Sequence, residues 1–119
     1  MSSELKELSF EKIIWVVFII ISLLNIYGTS LLEEYAKTKD STDKLTAKKI
    51  FIFTVIVSFL IYAYFVYRNY KQLKENERNN KDTKLYYIRF IGSLLIIAGV
   101  LFILYFQIFE PDLTGSPAI

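Results

Sequence analysis

An all-α integral membrane fold, with three transmembrane helices in a small up-down-up bundle, is what this 119-residue sequence predicts. Three observations carry that expectation. Residues 13–32, 50–67 and 90–109 contain no charged side chain, and each run is 18 to 20 residues long. At about 1.5 Å rise per residue such runs cover about 27–30 Å as helices, the depth of a bilayer's hydrocarbon core. The second run, IFIFTVIVSFLIYAYFVY, is apolar or aromatic in every direction around a helix, whereas a soluble helix has one apolar stripe and one wet face. Finally, 54% of the residues are hydrophobic, and all the charges lie outside the three runs, most of them between runs. So few residues cannot cover three such helices with protein, which leaves lipid as their solvent.

The magnitudes agree with insertion of all three runs. Each Leu, Ile, Phe or Val near mid-membrane favours insertion by roughly 0.3–0.6 kcal/mol. The runs hold 13, 12 and 14 of these residues, so every run gains several kcal/mol. Thr54, Ser58 and the tyrosines make the second run the least hydrophobic, but it has no charge to expel it.

The chain reads as a single membrane domain over 1–119, with spans at about 12–32, 49–68 and 86–109, loops at 33–48 and 69–85, and an unfolded tail at 111–119. Ser9 is a candidate cap for the first helix, with Glu11 in the turn where the helix dipole favours an acid. Leu5, Leu8 and Phe10 suit the membrane surface. The first apolar run is too long for a signal-peptide core and no Ala-x-Ala site follows it, so it is expected to stay as a span. In the first loop, Ser41 or Thr42 is placed to start the second helix. RNYKQLKENER, after Tyr67, contains good helix formers and no Gly or Pro, so this helix should project two or three turns into water before Asn79-Asn80 ends it. Asp82 or Thr83 then caps the third helix, and Pro111 stops it at Glu110.

Lys and Arg set the orientation. The N-terminal tail and second loop hold eight, with Arg89 at the edge of the third span, and the opposite side holds five. This bias predicts a multi-pass cell-membrane protein with its N-terminus in the cytoplasm and its C-terminus outside. An Ile-, Lys-, Tyr-, Phe- and Asn-rich composition suggests an AT-rich, bacterial coding sequence.

Polar residues inside the runs are the candidates for function. Ser22, Asn25 and Thr29 fall at i, i+3 and i+7 and share a helical face, while Thr54 and Ser58, with Tyr62, make a second such face. A polar lining for an ion would need more than one amide, so an interhelical polar face is the expectation, with its hydrogen bonds averaging about 0.6 kcal/mol. Gly92, Ser93 and Gly99 are small and are candidate helix-packing positions. Arg89 is expected to extend its guanidinium to the lipid head groups. The tyrosines and Trp15 near the ends of the runs form an aromatic belt.

There is no Cys and no His, and no acid lies within a run, so thiol, imidazole and paired-carboxylate chemistry lack their groups. No catalytic residue, metal site or cofactor is expected. A net charge of +2 offers no basis for a nucleic-acid partner. The sequence therefore points to a small non-enzymatic membrane protein, an accessory, regulatory or assembly subunit whose partners are the lipid bilayer and either further copies of itself or another membrane protein. The alternative is a pore-forming or transport component, holin-like or a small channel. Against it stand the absence of a membrane-embedded acid and a final PDLTGSPAI without Lys or Arg.

Overall fold

The computed structural model of the protein describes residues 3–110. Among them there is no strand, and three helices follow one another: α1 (Ser3–Thr38), α2 (Ser41–Arg78) and α3 (Lys84–Phe109). All three are long and apolar enough to cross a membrane. The expected tail at 111–119 lies outside the described residues.

The helices overrun the apolar stretches. α1 has 36 residues and α2 has 38, or about 54 and 57 Å at the α-helical rise, against roughly 30 Å of hydrocarbon. Ser9 is thus inside α1 and caps nothing. The helix continues back to Ser3 because no Gly or Pro interrupts it, and Glu4 occupies its first turn instead. Likewise the loop expected over 33–48 is helical except at Lys39 and Asp40. Its Glu, Ala and Lys residues are good helix formers, so charge alone does not unwind it.

Local hydrogen bonds explain where the helices do stop. Lys39 adopts φ 59°, and its N–H donates to the Tyr35 carbonyl at 2.8 Å, an αL cap closing α1. Asp40 then caps α2: its Oδ1 accepts from the Thr42 N–H at 3.0 Å. The cap is therefore one residue earlier than Ser41. At the far end of α2, Asn80 has φ 55°, with Lys81 N–H donating to the Asn76 carbonyl at 3.0 Å and Asn80 N–H to Glu77 at 3.1 Å, a Schellman motif. Asp82 Oδ1 accepts from the Lys84 N–H at 3.1 Å, while the Thr83 carbonyl accepts from Tyr87 at 2.9 Å, so both expected residues open α3.

The chain divides into two compact units, one holding α1 with α2 up to Thr54, the other holding α2 from Val55 with α3. In the first unit Asn25 meets Thr54 and Gly28 meets Phe51. Each pair is equidistant from the turn at Lys39-Asp40, which identifies an antiparallel hairpin whose register the turn sets. In the second, Glu77 bonds Tyr87, Gln72 bonds Arg89, and the Tyr70 and Phe90 rings lie 5.7 Å apart. These pairs straddle the turn after Arg78, so this unit is an antiparallel hairpin too.

Buried positions recur every seven residues on α1 (Ile14, Ile21, Gly28) and α3 (Ser93, Val100, Gln107), and α2 carries such a series in Ala47, Thr54 and Ile61 among a denser set that includes Phe51, Val55 and Ser58. Seven is the repeat that keeps one seam of a slightly underwound helix facing its neighbours. The rest of the sidewall is bare. Only 17%, 28% and 17% of the most apolar stretches of α1, α2 and α3 are buried, and Leu95 and Phe102 are 69% and 78% exposed. Patches of that extent are incompatible with water, so the membrane supplies the missing cover.

Gly28 is the close approach in the first hairpin. A Cβ there would lie 2.7 Å from Phe51 Cε1 and 3.0 Å from Cζ, and Phe51 is itself fully buried. At Gly92 and Gly99 an added Cβ would meet nothing within 4 Å, so within this chain they are not the packing points expected of them. They precede the buried seam of α3 by one residue, which is about 100° around the helix. We predict that Gly28→Ala destabilises the protein in detergent by about 1–3 kcal/mol through overpacking. Gly92→Ala and Gly99→Ala should be neutral or mildly stabilising. Reversible unfolding of the three variants checks the ranking, and equal costs at all three positions would refute the assignment.

Candidate functional site

Polar groups within the membrane-depth part of the first hairpin converge on one point. Asn25 is half-buried on α1, and its Oδ1 accepts from the Thr54 hydroxyl at 3.0 Å. Thr54 is wholly buried, and its Oγ1 is also 3.0 Å from the carbonyl of Phe51, so one hydroxyl proton is divided between two acceptors. The contact sits beside the Gly28–Phe51 approach because three residues is nearly one helical turn on both helices. Its environment is apolar, which is where a side-chain amide most needs a partner.

The other two members of the α1 face part from this pair. Ser22 and Thr29 are exposed. The buried line of α1 runs through Ile14, Ile21 and Gly28, and Asn25 is on its flank, with Ser22 and Thr29 turned further away. Ser22 satisfies its hydroxyl on the Phe18 carbonyl at 2.9 Å, as Ser30 does on Ile26 at 3.0 Å. Ser58 is fully buried on α2. On α3, Ser93 is buried and donates to the Phe90 carbonyl at 2.7 Å. Thr29 and Ser30, with Asn25, Ile26 and Glu33, instead line a shallow open groove on α1.

A second polar group gathers at the turn end of the other hairpin. Arg89 is exposed, its Nη2 donates to Gln72 Oε1, and its guanidinium carbon stands 5.5 Å from the centre of the Tyr86 ring. The Tyr87 hydroxyl donates to Glu77 Oε1, and Lys74 Nζ lies 3.4 Å from Glu77 Oε2. The hydrogen bond from Tyr87, aided by the Lys74 charge, holds the Glu77 carboxyl below the ordinary carboxylate range. The Glu77 charge in turn raises Lys74 above the usual lysine value. Both groups stand clear of the apolar stretches in the water-side projection of α2.

Three residues of these sites are not singled out by sequence reasoning. Gly28 stays hidden because a glycine's role depends on what faces it. Gln72 reads as part of a solvated loop. Gln107 is 2% exposed on α3, and its Oε1 has no hydrogen-bond partner among the described residues. An amide inside the third apolar run is the signal that could have found it. Among the described residues no group of three acids, Cys or His could hold a metal ion.

A double-mutant cycle of Asn25→Leu and Thr54→Val should give a coupling of about 0.6 kcal/mol, and not above about 2 kcal/mol. Additive effects would mean the pair is not bonded. Tyr87→Phe should raise the Glu77 titration midpoint, read from carboxyl carbon shifts in micelles, towards the ordinary range. Since folding lowers this carboxyl's pKa, its contribution to stability is full above the unfolded value and fades as pH falls through the folded one. If the midpoint stays where it is in Tyr87→Phe, the Tyr87 hydroxyl is not what lowers it. No family model matches this chain, and no curated protein or solved structure is significantly similar to it.

Proposed function

We propose that this small membrane protein is non-enzymatic and serves as an accessory, regulatory or assembly subunit of a bacterial cell membrane, recognising its partner through helix packing. One observation carries the reading. Most in-span polar groups are engaged locally, Asn25 with Thr54 and Ser22, Ser30 and Ser93 with their own helix backbones, Gln107 Oε1 being a buried exception, while large apolar side chains cover the outside. Such a surface suits contact with lipid and with another apolar helix, a further copy or a different membrane protein. It provides little to stabilise an ion or a transition state. The lack of His and Cys in the whole sequence supports a role without catalysis.

A pore is the second reading, and the α1 groove with Asn25, Thr29, Ser30 and Glu33 is the feature that favours it. Dye-loaded vesicles reconstituted with the protein separate the two. A subunit leaves leakage at the protein-free level and cross-links to a specific membrane partner in native membranes. Leakage abolished by Thr29→Leu, an exposed position whose replacement costs no packing, would overturn this reading in favour of a pore. The Lys and Arg bias supports a cytoplasmic N-terminus with the C-terminus outside. A reporter fused after Ile119 that works only in the cytoplasm would reverse that orientation.

A further inference from the structure

We propose that the turn end of the α2–α3 hairpin is a docking surface for the head groups of anionic phospholipids. The proposal rests on the hairpin being embedded in a bilayer and not on the accessory-subunit reading, so its failure would leave that reading standing.

The uncharged run of α2 ends at Tyr67 and that of α3 begins at Phe90. The Gln72–Arg89 bond and the Tyr70–Phe90 contact hold the two helices side by side at this height. Arg89 and Lys71 therefore lie at the hydrocarbon rim, in a head-group layer about 5–8 Å deep. α2 continues unbroken to Arg78, about 16 Å beyond Tyr67, still within roughly a Debye length of the phosphate plane.

The charge at this end is of the right sign. Residues 68–89 hold seven Lys and Arg against three acids. Two of those acids are turned to internal use, Glu77 towards Tyr87 and Lys74, and Asp82 as the cap of α3. Glu75 is the remaining exposed acid. Lys71 and Arg78, seven residues apart, share one face of the α2 extension and are exposed, with Lys74 between them paired to Glu77. The surface thus stays positive where an anionic leaflet is negative.

The posture of Arg89 adds a geometric reason. Its bond to Gln72 and its position 5.5 Å from the Tyr86 ring centre keep the guanidinium at the rim. A guanidinium carries five N–H donors, which leaves a fork suited to bidentate contact with a phosphate. A merely solvated loop arginine would need neither partner.

The test uses the full chain in neutral detergent, with phosphatidylglycerol or phosphatidylcholine added at matched concentrations. Retained lipid is read by native mass spectrometry, and thermal unfolding is followed in parallel. Phosphatidylglycerol is expected to be retained preferentially and to raise the unfolding temperature, less so as salt increases. Arg89→Gln, and separately Lys71→Gln with Arg78→Gln, should weaken retention by about fivefold per cation removed, the factor equivalent to ~1 kcal/mol each at an anionic surface. The second variant alters only exposed positions, so its folding is not in question. Lys37→Gln with Lys39→Gln, at the opposite end, should change nothing. Equal retention of the two lipids, wild-type retention by both variants, or an equal loss in the Lys37/Lys39 control would overturn the proposal. So would matching stabilisation by inorganic phosphate, which would indicate a free-anion site, or displacement of the lipid by poly-glutamate, which would assign the surface to an acidic protein.

Discussion

Hydrocarbon provides no hydrogen-bond partner for a peptide group, and each N–H or C=O left bare in it costs several kcal/mol. That constraint shapes this protein from end to end. It requires the apolar stretches to be unbroken helices, sends the charges beyond them, and concentrates capping and turn chemistry at Lys39-Asp40 and at Asn79 to Thr83. The positive φ values of Lys39 and Asn80 fall in those two places, where the chain reverses in water. The same constraint accounts for Ser22, Ser30 and Ser93, whose hydroxyls bond to carbonyls of their own helix.

Lipid removes the ordinary hydrophobic drive for helix association, because tails are as apolar as the side chains they replace. What remains is close fit and polar glue, and the first hairpin combines the two within one turn. Gly28 lets the Phe51 ring against the α1 backbone, and Asn25 bonds Thr54 alongside it. The seven-residue spacing of buried positions extends this logic along each helix. It explains why small or polar residues such as Ala47, Thr54, Ser58 and Ser93 are buried while many isoleucines, leucines and phenylalanines are not.

The second hairpin solves a different problem, namely how a helix pair leaves the membrane. Its rings and long side chains grade from apolar to charged over a few residues, with Tyr70 against Phe90, Arg89 tied to Gln72, and Tyr87 bonded to Glu77 further out. Aromatic residues with polar tips and cations with apolar stems are the side chains that tolerate such a gradient. The consequence is a rim that is ordered without being neutralised.

Residue type and run length alone determined the class, the number of spans and the ends of α2 and α3, since these depend on local transfer energies, caps and Pro111. A meeting between Asn25 and the Thr54 face was also foreseeable, because a polar group in an apolar helix must seek another. Tertiary structure alone decided the rest. Gly92 and Gly99 look like packing residues until the buried seam proves to run through Ser93, Val100 and Gln107, one position along. Ser22 and Thr29 share a face with Asn25 on a helical wheel, yet only Asn25 is near the seam. Helix beyond the membrane, at Ser3 to Ser9 and through 33–38, is by contrast readable from helix formers and the lack of Gly or Pro, as it is after Tyr67, and charge there does not signal a loop. Rotation about a helix axis is set by its neighbour's side chains, and in a chain apolar on every face no pattern within one helix can specify it.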